Sequence, residues 1–87
     1  MKQAEALDAI RGYARANRIV IARGHPGERA QERTRYQYGD IHAALSNAKS
    51  AKLQENGRWR VRGQDLDGDD LTIIVIIENG LIVVTVM

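Results

Sequence analysis

The fold is decided by residues 58–87, which read RWRVRGQDLDGDDLTIIVIIENGLIVVTVM. Polar and apolar residues alternate over 58–62, which predicts a half-buried strand. Residues 71–77 are apolar on both faces and predict a central strand covered on both sides. Asp67-Gly68 and Asn79-Gly80 are turn pairs, because both residue types accept positive φ. The stretch therefore predicts a three-stranded antiparallel meander that ends near Met87.

The lengths of the two turns decide which face each side chain occupies. A two-residue loop at Asn79-Gly80 predicts three cross-strand pairs: Ile77 with Ile82, Val75 with Val84, and Ile73 with Val86. If the loop at Asp67-Gly68 also has an even number of residues, Trp59 and Val61 lie on the opposite face from these pairs. The neighbouring arginines then share the face of Ile73, Val75 and Ile77. A bulge at Gly63 would reverse this assignment.

The first part of the chain predicts a helix and then a strand. Apolar residues at helical spacing, together with abundant alanine, predict a helix from Lys2 to Asn17. The β-branched run within Arg18–Arg23 predicts a short strand. Pro26 suits the first turn of a second helix, which begins at His25 and continues to Thr34.

A third helix and an edge strand come before the meander. Asp40 is the predicted N-cap of a helix that runs from Ile41 to about Ala48. Residues 50–54 predict a short edge strand that ends at the turn pair Asn56-Gly57. We therefore expect one α+β domain over residues 1–87. Its order is α-β-α-α followed by the meander, with the helices packed on a small twisted sheet.

Basic and acidic residues are distributed unevenly along this chain. Residues 11–62 hold twelve of the thirteen Lys and Arg residues and a balance of +8, whereas residues 63–87 hold five acids and no base. An Arg-rich region suits phosphate or carboxylate partners, because guanidinium binds both groups in a two-pronged geometry. The alternative is a solvated basic surface.

The composition excludes several classes of protein. There is no Cys, so disulfides and thiolate metal sites are excluded, and two distant histidines argue against a catalytic zinc. The longest apolar run, Ile73–Ile77, is too short to span a bilayer. No segment has the pattern of a signal peptide. We expect a cytoplasmic protein without membrane association, metal or cofactor.

Three residues of the predicted second helix form a candidate catalytic set. His25, Arg29 and Arg33 lie four residues apart, so they share one helix face. The helix N-terminus favours an anion near His25. The imidazole would move a proton and the guanidiniums would hold a phosphate. The alternative is that the arginines pair with nearby Glu residues or with the acidic turn at 65–70.

A second candidate surface is the positive row formed by Arg58, Arg60 and Arg62 on a predicted strand. Such a row can track a phosphate backbone, and Lys52 on the preceding strand would extend it. The alternative is a sheet face or edge kept in solution by charge.

The remaining polar motifs have simpler interpretations. Tyr38 and Tyr36 would either stack on bases or fill the gap between helix and sheet. His42 lies beside the predicted N-cap and is expected at the surface. The acidic stretch at 65–70 fails the calcium-loop pattern, because Asp70 stands where glycine is needed and Ile76 where glutamate is needed. It is expected to be an acidic hairpin turn.

Several stretches resemble the MqsR-like branch of the RelE/ParE toxin superfamily, and in particular small toxin-like domains encoded beside an antitoxin with a zinc finger. They are His25, Arg29 and Arg33, then residues 40–45, 59–61, 65–68 and 73–86. The resemblance implies the toxin of a bacterial type II toxin-antitoxin system. Such a toxin is a metal-independent endoribonuclease that cuts messenger RNA, an mRNA interferase, and is silenced by its antitoxin.

One departure from that branch affects the expected active site. Toxins of the branch carry a Tyr and a Lys near the strand that Leu71 and Thr72 begin here, so the site must be built differently. We expect His25 to act as acid or base, with Arg29, Arg33 and Arg62 stabilising the phosphate. The alternative function is a non-catalytic binding module, as a monomer or a homodimer, whose basic surface holds an acidic protein partner.

Overall fold

A computed structural model describes residues 1–22 and 37–87 of the chain. The predicted second helix, with His25, Arg29 and Arg33, lies outside the described residues. The described elements are α1 (Gln3–Arg15), β1 (Ile19–Ile21), α2 (Tyr38–Ser46), β2 (Ser50–Leu53), β3 (Trp59–Gln64), β4 (Asp70–Ile77) and β5 (Leu81–Val86). Neither of these two helices is long and apolar enough to cross a membrane.

The five strands form one mixed sheet in the order β1-β5-β4-β3-β2. The edge strand β1 runs parallel to β5, and every other neighbouring pair is antiparallel. The predicted meander over β3, β4 and β5 is therefore confirmed, with β4 central as expected. The predicted edge strand at 50–54 is also confirmed, as β2. The chain has an α+β fold with two described helices and a five-stranded sheet.

The three hairpin loops among the described residues are each one residue longer than a two-residue turn. Ile77 pairs with Leu81, and Asp65 N–H donates to the Asp69 carbonyl at 2.8 Å, so three residues lie inside each of these loops. Gly57 and Gly68, the last residues of their loops, have φ of +83° and +87°. Each of these glycines supplies the left-handed residue that closes a three-residue hairpin loop.

Because the loop between β3 and β4 has an odd number of residues, the side chains of β3 lie on the faces opposite to those predicted. Trp59 pairs with Val75, and Val61 pairs with Ile73, so these four side chains share one face. The prediction that the arginines lie on the face of Ile73 and Val75 was wrong. The reversal comes from the length of the loop at Asp67-Gly68 and not from a bulge at Gly63, which pairs in register with Leu71.

A register shift also corrects the pairs predicted between β4 and β5. Val75 pairs with Val83 rather than with Val84, and Ile77 pairs with Leu81 rather than with Ile82. The register shifts between Ile74 and Val75, which restores the predicted pair of Ile73 with Val86. A bulge of this kind places one extra residue on one strand.

Both described helices pack against the same face of the sheet, which we call the first face. The core consists of buried aliphatic residues from both helices and this face, and its largest fully buried members include Ile10, Leu45, Val61 and Ile73. Trp59 is also buried there, at 5% exposure. Gly63 permits close packing of α2, because a Cβ at this position would lie 2.8 Å from the Ala44 carbonyl carbon and closer still to its oxygen.

The start of α2 differs from the prediction that Asp40 is its N-cap. The N-cap is Gln37, and Asp40 is the third helical residue, whose Oδ2 accepts the Gln37 backbone N–H at 3.3 Å. Its Oδ1 accepts the Leu66 N–H at 3.2 Å, which ties the helix to the β3–β4 loop. The Asp40 carboxylate therefore caps the backbone N–H of the N-cap residue, as in a capping box, and also positions the β3–β4 loop.

Candidate nucleic-acid interface

The face of the sheet opposite the helices, the second face, carries a cluster of cationic side chains. Trp59 and Val61 are buried against the helices, so the alternation of a strand turns Arg60 and Arg62 away from the core. Both arginines are exposed. The prediction that they share one face is confirmed. No described helix lies over this face within residues 1–22 and 37–87.

The register of β2 brings a third cation beside the two arginines. Lys52 pairs with Arg60, and Ser50 pairs with Arg62. Ala51 between them is buried, so Lys52 points to the second face. Directly opposite residues lie about 5 Å apart, and Arg60 and Arg62 are separated along β3 by about 6.8 Å. We call Lys52, Arg60 and Arg62 the basic row.

The basic row has different neighbours from those predicted. Arg60 pairs with Ile74, and Arg62 pairs with Thr72, both on β4. The predicted fourth member, Arg58, precedes β3 and is half-buried. Its backbone carbonyl accepts the Gln54 N–H at 2.8 Å, which closes the β2–β3 hairpin.

Three other arginines of the basic region bind backbone carbonyls of the fold. Arg11 Nε donates to Ala48 O at 2.9 Å, and Arg15 Nε donates to Ser46 O at 3.1 Å. The last carbonyls of a helix have no partner within the helix, so Arg15 stabilises the end of α2, whereas Arg11 holds the segment that follows the helix. Arg18 donates from Nη2 to Asn79 O at 2.8 Å and holds the β4–β5 loop. Sequence spacing gave no signal for these three contacts.

Tyr38, which was proposed as a base-stacking partner, does not lie on the sheet face. Tyr38 begins α2, is 45% exposed, and places its hydroxyl 3.5 Å from Asn17 Oδ1. Its ring centroid lies 6.1 Å from that of His42, so the two rings are neighbours. His42 is half-buried, with Nδ1 3.4 Å from Ser46 Oγ. Tyr36 lies outside the described residues.

The acidic hairpin is organised by its own first carboxylate. Asp65 Oδ1 accepts the backbone N–H groups of Asp67 and Asp69 at 2.9 and 2.8 Å. Carboxylate oxygens of these three residues lie within 4.8 Å of one another. The hydrogen bonds explain why an aspartate begins this loop, since Asp side chains favour such turns.

The basic row is suited to bind phosphate groups. Its three cations project from rigid strands, and guanidinium donates paired hydrogen bonds to phosphate oxygens. Charged contacts of this kind hold a nucleic-acid backbone without reading its bases. Of the predicted catalytic set, Arg62 is described and belongs to the row, whereas His25, Arg29 and Arg33 lie outside the described residues.

Sequence reasoning predicted that both faces of β4 are apolar, but it did not place aliphatic residues of the second face beside the arginines. Val20, Ile74, Ile76 and Ile82 lie on this side of the sheet, beside the basic row. The even-loop assumption had assigned Ile82 to the other face. The signal was present in the unbroken apolar run of β4, which supplies side chains to both faces.

Comparisons of the chain with protein-family models, with curated proteins and with solved structures found no match.

Proposed function

We propose that this chain binds RNA through the basic row and cleaves it as the toxin of a type II toxin-antitoxin system. The single observation behind the proposal is the convergence of Lys52, Arg60 and Arg62 on one exposed sheet face. Cations projecting from adjacent strands follow successive phosphates of a nucleic-acid backbone. Three further parts of the proposal rest on the resemblance to the MqsR-like branch: a RelE-like fold, a cytoplasmic location and an antitoxin that silences the toxin.

The proposed reaction is transesterification without a metal. The RNA 2′-oxygen attacks the adjacent phosphorus, the bond from phosphorus to the 5′-oxygen breaks, and the products are a 2′,3′-cyclic phosphate and a 5′-hydroxyl end. His25 takes the proton of the 2′-hydroxyl or gives one to the leaving 5′-oxygen, and water carries out the other transfer, so that the proton lost by the nucleophile is matched by the one gained by the leaving group. Arg29, Arg33 and Arg62 stabilise the negative charge that develops on the phosphate.

Inducible expression in a bacterial host tests this proposal. We expect growth arrest with loss of intact messenger RNA for wild type, and normal growth for His25→Ala and Arg62→Ala. Lys2→Ala is the matched control, since Lys2 is an exposed cation at the start of α1. In vitro cleavage should persist in EDTA. Normal growth and intact RNA on wild-type expression would contradict the toxin, and arrest by both variants would contradict the site.

A further inference from the structure

Four aliphatic side chains form a continuous strip on the second face. Val20 pairs with Ile82, and Ile82 pairs with Ile76, while Ile74 lies two residues before Ile76 on the same strand. None of the four belongs to the core cluster that the helices cover. Val20 is 63% exposed, Ile76 and Ile82 are half-buried, and Ile74 is buried at 7% exposure. We call these four residues the apolar strip.

A cleft opens at the β1 end of this strip. It has a volume of about 250 Å³ and is lined by Val20 and Ile82 together with the β4–β5 loop. Arg18 and Glu78 supply its charged lining. The lining is therefore mixed, with Val20, Leu81 and Ile82 as its apolar members. A cleft of this size accommodates an anchoring side chain of a partner, since binding energy concentrates where such a side chain fills a pocket.

The apolar strip adjoins the basic row directly. Ile74 pairs with Arg60, and Arg60 pairs with Lys52, so the second face changes from aliphatic to cationic across one pair of strands. A ligand that covers both halves must present apolar groups on one side and negative charge on the other.

Neither RNA nor a second copy of the chain matches both halves of this surface. Nucleic-acid bases stack on aromatic groups, and the strip offers aliphatic side chains only. In a dimer whose twofold axis places the apolar strip of one copy against that of the other, there are two arrangements. Either the two basic rows face each other, which is repulsive, or only the two strips are buried. The strip alone provides much less than the roughly 800 Å² per partner of a standard interface. Residues 23–36 of the chain carry four arginines and two glutamates, so their net charge has the same sign as that of the basic row. They therefore do not supply the negative charge that this surface needs.

We propose that the second face docks an amphipathic acidic helix of a partner protein. Its aliphatic stripe covers Val20, Ile76 and Ile82, and its flanking carboxylates face Arg60 and Lys52. A sheet whose faces are both covered by helices is a common stable architecture, and only one face is covered by the described helices. The charge of the row supplies both orientation and selectivity for an acidic flank.

Docking of this helix would also control RNA binding. The partner and the RNA both need Arg60, so each excludes the other from the second face. This consequence rests on the proposed function, whereas the docking itself does not.

The test uses the full chain and a synthetic helical peptide of about four turns with leucines on one face and glutamates along one flank. Fluorescence anisotropy measures its binding. We expect affinity to fall about tenfold for Val20→Asn and for Arg60→Ala. Lys2→Ala should bind as wild type. A peptide with glutamine in place of glutamate should bind about tenfold more weakly. Val20 is exposed, so Val20→Asn should melt at the wild-type temperature, which circular dichroism checks.

A labelled RNA oligonucleotide provides the second readout. We expect the peptide to displace RNA. Val20→Asn should bind RNA within about twofold of wild type, whereas Arg60→Ala should bind it about tenfold more weakly. The docking proposal is overturned if the peptide does not bind, if the glutamine peptide binds equally well, or if both Val20→Asn and Ile82→Asn leave peptide affinity unchanged. A dimer in light scattering that Val20→Asn dissolves would assign the strip to a second copy instead. Peptide binding that depends on Val20, with no RNA binding, would refute the RNA function alone.

Discussion

Replacing Gly63 by alanine tests how α2 is seated on the sheet. The added Cβ would lie 2.8 Å from the Ala44 carbonyl carbon and 3.0 Å from its Cα. Carbon atoms prefer separations of about 3.5–4.0 Å, so α2 must move outward by roughly 1 Å. The clash is with backbone, so no side-chain rotation relieves it. The helix can respond only by separating from β3 near Val61.

The expected cost lies at the upper end of the range for overpacked cores. Overpacking typically costs about 1–3 kcal/mol, and we expect about 3 kcal/mol for Gly63→Ala. The total free energy of unfolding of a native domain is about 5–15 kcal/mol. In a chain of this length the loss corresponds to a fall in Tm of about 15 °C. Thermal and urea unfolding followed by circular dichroism measure it, with Trp59 fluorescence as a second probe.

The same substitution at Gly12 is the matched control. Gly12 lies in α1 with no atom within 4 Å of an added Cβ. Gly12→Ala should therefore stabilise the protein by about 0.5–1 kcal/mol, because alanine is the better helix former. If Gly63→Ala melts within about 2 °C of wild type, α2 does not approach β3 as described.

Three further predictions address separate contacts. Arg15→Ala should lower the free energy of unfolding by about 1 kcal/mol in urea titrations, because Ser46 O loses its donor. Asp65→Ala should cost about 1–2 kcal/mol in the same assay, since two loop N–H groups lose their acceptor. The RNA affinity should fall with salt with a log–log slope near about −2, about −0.7 for each of three cations, and Arg60→Ala should reduce the slope by about 0.7. An unchanged slope for Arg60→Ala would remove that residue from the interface.

The sequence predicted where the strands lie along the chain better than it predicted which face of the sheet each side chain occupies. Alternation in Trp59–Arg62 and the two turn pairs were enough for the meander. A two-residue loop and a three-residue loop both need a residue of positive φ, so Asp67-Gly68 does not reveal its own loop length. A difference of one residue turns the whole face of a strand over, because side chains alternate. That is why the neighbours of the arginines were predicted wrongly while their common face was correct.

Charge counting had a comparable limit for the candidate site. Twelve basic residues in 11–62 predicted a region suited to phosphate or carboxylate partners, with a solvated basic surface as the alternative. Arg11, Arg15 and Arg18 instead donate to backbone carbonyls. These carbonyls become neighbours only in the folded chain, where no spacing rule along the sequence marks them. The position of Lys52 beside the arginines was predicted correctly, since an edge strand ending at Asn56-Gly57 must pair with the arginine strand that follows.

The affinity of a single-stranded RNA for Arg60→Ala and Arg62→Ala tests the proposed interface most directly. At about 0.1 M salt we expect each variant to bind about tenfold more weakly than wild type, because each loses a charge-assisted contact to phosphate. Lys2→Ala, which removes an exposed cation from α1, should bind within about twofold of wild type. Equal losses in all three variants, or none in any of them, would contradict RNA binding by the basic row.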